Sequence, residues 1–343
     1  MIQHEITRRR PLLDANGNIA EPGFARRLLP VYSRKAIKAG PMRIKEWDYY
    51  LISNGRSALA LTVADNGYMG LDSISFIDLE NLWQQTASPM SIMPLGRRHL
   101  PESSSTGDVS VSGRGYSMSF RHIVGGRKLD FRMENFSGGM PISGEIVLTH
   151  EPDESIVMCT PFRKKAHFYY NQKINCMRAS GSVTVRGRQY TFEPDTAFAV
   201  LDWGRGVWPY HETWYWGSAS GMAEGEPFGF NIGYGFGDTS AATENALFFA
   251  GKLHKLSRVT FNIPRSAGKL DYMAPWTFTS DDNRFEMDFK PVLDRSAVMD
   301  VKLLKSEQHQ VFGLFSGTAV LDNGRSIKLR DFPGFAERVE NKW

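Results

Sequence analysis

Between Asp202 and Asn245 this chain gathers most of the side chains that could do chemistry together. Four of its eight tryptophans fall there, interleaved with carboxylates, a histidine and glycine runs. The segment contains Asp202-Trp203-Gly204-Arg205, then Trp208-Pro209-Tyr210-His211-Glu212-Thr213-Trp214-Tyr215-Trp216, then Asn231, Tyr234, Asp238 and Glu244-Asn245. A carboxyl group in an apolar pocket is harder to ionise and can act as a general acid. Indole and phenol faces stabilise a cation formed by protonating an alkene. Together these groups suit hydration, cyclisation or isomerisation of a lipid or isoprenoid-like molecule, with no metal or redox cofactor required.

Extended chain turns successive side chains to opposite faces, which sorts these residues. Phe198, Val200 and Asp202 share one face, with Ala199, Leu201 and Trp203 on the other. Glu212, Trp214 and Trp216 line up opposite His211, Thr213 and Tyr215. From Phe228 to Asp238, large residues including Tyr234 alternate with Gly229, Asn231, Gly233, Gly235 and Gly237. This bare row admits either a ligand, with Asn231 as its polar contact, or a neighbouring side chain packed tightly. Glu212 is the expected proton donor and Asp202 the orienting carboxylate, with His211 and Asp238 in reserve. Trp203, Trp208, Tyr210, Trp214, Trp216, Asn231, Tyr234, Glu244 and Asn245 are expected to contact ligand. Arg205 either anchors an anionic head group through its planar fork or plugs a barrel end, stacked on Trp203 or Trp208. Asp238-Thr239-Ser240 also has the composition of a self-capping turn.

These residues must be held by strands. Thirty-two glycines in 343 residues, with 12% aromatics, favour β structure. Alternating runs at Trp47–Ser53, Arg56–Ala64, Tyr116–Ile123, Lys128–Phe136, Gly144–Thr149, Gly181–Arg186 and Ala197–Trp203 predict short strands. Ile77–Gln85 is the best helical candidate, and Pro22–Pro41 is expected to be loop with a little helix. The two halves repeat at an offset of about 140 residues. Ser180-Gly181, Gly187-Arg188 and Ala197-Phe198-Ala199 with Trp203 return as Ser316-Gly317, Gly324-Arg325 and Gly334-Phe335-Ala336 with Trp343. Upstream, Phe131–Phe136 echoes Phe285–Phe289, and Ser91–Pro94 echoes Phe261–Pro264.

The net charge of +4 is unevenly placed: residues 1–45 carry ten Lys or Arg against Glu5, Asp14 and Glu21. Such an arm can wrap its own domain or touch an anionic membrane surface. No zinc knuckle, helix-turn-helix or basic-aromatic single-strand motif accompanies it, so nucleic acid is not expected. The start lacks an apolar h-region and no stretch is long and apolar enough for a membrane helix. Cys159 and Cys176 lack metal spacing, the histidines are scattered, and no GxSxG, Walker or HExxH motif occurs. A cytoplasmic location, with free thiols, is the expectation. Lys164, Lys165 and His167 to Tyr170 form a basic-aromatic strip that a strand edge explains.

Asp202-Trp203-x-Arg205-Gly206-x-Trp208-Pro209-Tyr210, Gly233-x-Gly235-Phe236-Gly237-Asp238 with Thr243-Glu244-Asn245, and Gly334-Phe335-Ala336-Glu337 with Trp343 resemble the bacterial family called domain of unknown function twenty-eight-zero-four. The resemblance runs from about Gly23 to the end. More remotely, the chain is similar to the two-barrel group of carotenoid 1,2-hydratases, tocopherol cyclases and lipocalin-like Diels–Alderases. The resemblance implies two consecutive lipocalin-like barrels and transfers no catalytic residue. The expected organisation is all-β: a basic arm over 1–45, a first barrel over 46–205 and a second over 206–343. Either acid–base catalysis on a hydrophobic molecule or its non-catalytic carriage fits these residues. A third possibility is an interaction protein whose cavity its own side chains fill.

Overall fold

The computed structural model describes residues 3–301 and 304–342. Trp343, which closes both the repeat and the family pattern, lies outside the described residues. The architecture is all-β and lipocalin-like, two barrels in succession. The described residues include two 3-10 turns, Arg34–Ala36 and Pro41–Arg43, and no α-helix. Among the described residues no helix is long and apolar enough to cross a membrane.

The main path of the first sheet runs Trp83–Ala87, Met69–Asp78, Ser57–Asp65, Ile44–Ser53, Phe198–Val207, Phe168–Val185, Met140–Thr149, Gly126–Ser137, Tyr116–Ile123 and Val109–Gly113. Its first strand curls back against Gly126–Ser137. The second sheet runs Lys252–Lys255, Ala246–Phe249, Glu226–Tyr234, His211–Ala223, Ser326–Lys342, Leu304–Val320, Phe285–Val301, Trp276–Ser280 and Val259–Asn262. Every pairing along both paths is antiparallel.

Each barrel is filled by its own side chains. Leu59, Leu61, Phe76, Phe168, Tyr170, Leu201 and Trp203 belong to the first core, and Phe230, Trp276, Phe278, Phe285 and Phe315 to the second. A third cluster lies between the barrels, where Tyr49, Leu51, Ala60 and Val200 of the first meet Trp216, Leu293, Phe312 and Phe335 of the second. Phe198–Val207 is therefore buried along its whole length. Its apolar run Phe-Ala-Val-Leu is what a strand covered on both faces requires.

The repeat is visible in these sheets. Gly181 and Gly317 sit in corresponding long strands with φ of 140° and 154°. A Cβ on Gly181 would lie 2.1 Å from the Glu145 carbonyl oxygen, and one on Gly317 2.2 Å from that of Glu286. The Gly187-Arg188 and Gly324-Arg325 pairs both follow these strands at their reversals. The upstream echoes differ: Phe131–Phe136 lies two strands from the Gly181 strand, whereas Phe285–Phe289 lies directly beside the Gly317 strand. Ser91–Pro94 begins within a short edge strand on Met69–Leu71, while Phe261 pairs with Phe278, so this match is not positional either.

Two further expectations are corrected. Ile77–Gln85 is a strand end, a turn and a new strand. The Asp78 carboxylate accepts the Asn81 N–H at 3.0 Å and its side-chain amide at 2.8 Å, and Leu82 is left-handed at φ 51°. That local pairing outcompetes helix. Several strands are long: Phe168–Val185 has 18 residues and the last three have 17 each. Gly144 and Gly181, read as strand starts, instead lie inside Met140–Thr149 and Phe168–Val185. The basic arm wraps the first barrel, burying Ile6, Leu12, Leu13 and Tyr32, and Gly23–Ala25 pairs with Val157–Cys159.

Gly181→Ala and Gly317→Ala should each destabilise the protein by more than about 2 kcal/mol, because the backbone is positive in φ and the Cβ site is occupied by a carbonyl. Urea unfolding of the two variants should give similar losses if the positions are structural equivalents.

Candidate functional site

Where the outer faces of the barrels diverge they leave a cavity of about 680 Å³. One wall is aromatic. Trp47 and Trp208 meet edge-on at 5.0 Å, Phe236 meets Trp208 at 4.8 Å and Trp214 at 5.2 Å, and Tyr169 stacks on Trp47. Thr62, Ala64, Met69, Leu71 and Ser73 form the facing wall, and Arg295–Val298 with Gln308 and Gln310 close it from the second barrel.

The charged or acidic side chains that line it are Lys173, Asp202, Glu244 and Glu337, together with Arg295 from the second barrel. The Lys173 ammonium lies 3.3 Å from Asp202 Oδ2, 3.7 Å from Glu244 Oε2 and 4.5 Å from the centre of the Trp216 ring. Asn171 donates to Asp202 Oδ1 and, at 2.9 Å, to the Trp203 carbonyl. Asn231 accepts from Trp216 Nε1 at 2.7 Å and donates to Glu244 Oε2 at 3.2 Å. Each carboxylate is thus held by a buried asparagine as well as by the shared ammonium.

Glu337 is different. Its carboxyl accepts from Trp214 Nε1 at 3.2 Å and from Gln310 Nε2 at 3.1 Å, and Gln310 also reaches the Tyr49 hydroxyl at 3.3 Å. Burial raises its pKa to about 7, against the pull of Arg295 and the Trp214 bond, with the Asp202 charge adding to the rise. Near neutrality it therefore holds a proton for part of the time. Burial also lifts Tyr49 to about 12 and drives Tyr169 well upward, helped there by Asp202 and Glu244, so both remain phenols.

Strand period places these groups. Asp202 leaves the first barrel outward, whereas Leu201 and Trp203 point into its core. Trp214 and Trp216 face the cavity while Tyr215, between them, stacks on Tyr234 beside the second core. Glu337 pairs across the strands with Trp216 on one side and Gln310 on the other. Sequence reasoning left it out of the site. Its signal was present: Phe335, Glu337, Val339 and Asn341 form one alternating row, and all four are buried.

Of the expected residues, the cavity collects Asp202, Trp208, Trp214, Trp216 and Glu244. Glu212, the expected proton donor, does not line it; it is half-buried at the start of its strand, with its pKa raised by burial. His211 faces the other side, exposed, 3.1 Å from Glu340. Asp238 caps its own turn by accepting the Ser240 N–H, and its pKa is lowered by that bond. Tyr210 is half-exposed outside the lining. Trp203 is fully buried in the first core, and Tyr234 is packed against the second. Asn231 braces Trp216 and Glu244 from behind. Asn245 joins backbone, accepting from Gly233 and donating to Ser257.

Arg205 is a plug, with no exposed surface. It lies 4.3 Å from the Trp203 ring centre, pairs with Asp48 at 3.0 Å and donates to the carbonyls of Trp47, Gly204 and Pro101. The glycine row is also filled: Cβ atoms on Gly229, Gly233 and Gly237 would meet Cys176 Sγ, Glu244 Oε1 and Thr160 Cγ2 at 2.6–2.7 Å. Cys159 and Cys176 are free and buried. Among the described residues no cluster of His, Cys, Asp or Glu could hold a metal. A second concavity, of about 780 Å³, lies over Ser110, Ser119, Ser143 and Ser182; its Arg121 and Asp130 pair with each other at 2.6 Å.

A family model described as "Domain of unknown function (DUF2804)" matches residues 3–343. No curated protein matches the chain. Among solved structures, it is similar to a protein of Nitrosomonas europaea provisionally named AttH, with 15% identity and a TM-score of 0.54 over 91% of this chain and 96% of that one. Kievitone hydratase of Nectria haematococca aligns at 11% identity and a TM-score of 0.47, over 97% of this chain and 98% of that one. The first likeness shows a shared fold.

Two outcomes follow from this geometry. Arg205→Met should lose about 3–5 kcal/mol in urea unfolding, because Asp48 is left buried without its partner. Glu337 binds its proton more tightly folded than unfolded, so its contribution is fully present below its unfolded pKa and is lost as pH rises through about 7. The Tm of Glu337→Gln relative to wild type should therefore rise between about pH 5 and pH 8, by an amount corresponding to at most roughly 3 kcal/mol.

Proposed function

The chain belongs to the DUF2804 family, and from that premise we propose that it binds a hydrophobic, lipid- or isoprenoid-like molecule between its barrels and transforms it by acid–base chemistry. The observation that carries this reading is Glu337, a carboxyl group with a pKa of about 7 inside an aromatic-walled cavity. A cavity of about 680 Å³ is the size of a small-molecule site.

In this reading Glu337 donates its proton to an alkene carbon or to a departing hydroxyl. The cation that develops faces Trp214, Trp216 and the carboxylate of Asp202, which lower its energy in a water-poor site. The Glu337 carboxylate then recovers a proton, from an attacking water in hydration or from a neighbouring C–H in isomerisation or cyclisation. Lys173 balances Asp202 and Glu244, and the two asparagines keep those carboxylates from rotating toward Glu337. Side chains alone supply this chemistry. Glu337 replaces Glu212 as the donor, and Asp202 keeps its role as the second carboxylate.

The test begins with mass spectrometry of molecules that co-purify with the protein, which provides the substrate. Glu337→Gln should lower kcat by about 10²–10⁴-fold while ligand affinity stays within a factor of about three. In wild type, kcat should fall about tenfold per pH unit above about pH 7, as the donor loses its proton. A ligand that is bound tightly and never turned over, with affinity unchanged in Glu337→Gln and Asp202→Asn, would make the protein a carrier.

A further inference from the structure

We infer that the rim of the first barrel beside the cavity is a docking surface for an anionic lipid bilayer. Phe168, Val207 and Ile44 lie side by side in register and mark this end of the barrel. Three segments meet there: the loop before Phe168, the arm before Ile44 and the turn at Asn66–Tyr68. Gly67 sits under the carbonyls of Pro41 and Met42, Ile92 pairs with Met69, and Lys38 lies over Gly17 beside Ala166.

This rim is basic. Lys35, Lys38, Arg97, Arg163, Lys164 and Lys165 are exposed and Arg43 is partly so, and none forms an ion pair with a described residue. Arg43 and Arg97 donate to the Trp208 and Met93 carbonyls, which fixes their position without neutralising them. Asp14, Glu102 and Asp238 are exposed acids here, each turned toward the backbone N–H of Asn16, Arg34 or Ser240. The cations come from the arm, from the turn at Arg97 and from the basic-aromatic strip at Lys164, segments far apart in sequence that the fold brings to one end.

Among them stand apolar side chains with no cover. Ile92 is 89% exposed, Met90 64% and Met42 48%. Met90 also lines the cavity, as does Val298, 68% exposed, from the opposite barrel. Cations around protruding apolar side chains match an anionic membrane interface: the charges meet lipid headgroups and the side chains enter the acyl boundary. A cavity opening beside this rim would receive its ligand from the bilayer without passage through water. The inference rests on the proposed site only for that purpose. Docking is measured with the cavity empty, so the two readings can fail separately.

The experiment is co-sedimentation of the full chain with phosphatidylcholine vesicles, with and without about 30 mol % phosphatidylglycerol, at about 0.1 M salt. Wild type should prefer the anionic vesicles by at least about tenfold, and Lys164→Ala with Lys165→Ala should weaken that binding by roughly 25-fold. Ile92→Asp should weaken it at least about fivefold, while Leu82→Asp, in an exposed turn at the opposite end of the Met69–Asp78 strand from Ile92, should not. All these positions are exposed, so each variant should keep the wild-type Tm. Equal binding to neutral vesicles, or none to either, overturns the inference. So does loss in the lysine variant without loss in Ile92→Asp, or capture by duplex DNA at the same salt, since both point to a polyanion rather than a bilayer.

Discussion

One buried ammonium, Lys173, holds the inter-barrel site together. It comes from the strand beside Asp202 in the first barrel and faces Glu244, which the second half of the chain supplies after the Glu226–Tyr234 strand. Removing one member of a buried charged set leaves the others uncompensated, at a cost of about 3–5 kcal/mol. The cluster therefore constrains how the barrels sit on each other, because its charges balance only in one arrangement. Asn171 donates to the Asp202 oxygen that Lys173 leaves, and Asn231 donates to the Glu244 oxygen that faces Lys173.

That balance explains the separate behaviour of Glu337. Two carboxylates already share the ammonium, so a third negative charge in the same enclosure is opposed by desolvation and by Asp202. Three acids of similar chemistry thus stand in different surroundings, two beside the ammonium and one among neutral donors. The aromatic wall contributes directly: Trp214 and Trp216 donate N–H groups to the polar network while their ring faces remain available to the cavity.

The barrel interiors take no part in this. Trp203 and Arg205 occupy the centre and end of the first, and a phenylalanine cluster fills the second. Both barrels are closed by their own side chains, and the cavity lies between them. Strands such as Phe198–Val207, covered on both faces, are the consequence. They can carry an apolar residue inward and a charged one outward at adjacent positions, as Leu201, Asp202 and Trp203 do.

Much of this was determined locally and is legible in the residues. Alternation marked the strands Tyr116–Ile123 and Trp47–Ser53, the second of which begins at Ile44, and separated Asp202 from Trp203, since period two acts between immediate neighbours. Spaced Ser-Gly and Gly-Arg pairs marked the duplication, because a glycine crowded by a carbonyl in one copy is crowded likewise in the other. The Trp208–Trp216 cluster pointed to the barrel junction. What the sequence did not determine was which face of each barrel becomes the site and which acid is buried. Glu212 and Glu337 both lie on strands beside tryptophans; one stands clear of the cavity and the other is enclosed by Trp214, Gln310 and Tyr49. Nor could spacing bring Lys173 to Asp202 and Glu244. Those distances depend on how two curved sheets dock, and desolvation, which decides the proton affinity of Glu337, exists only once they have.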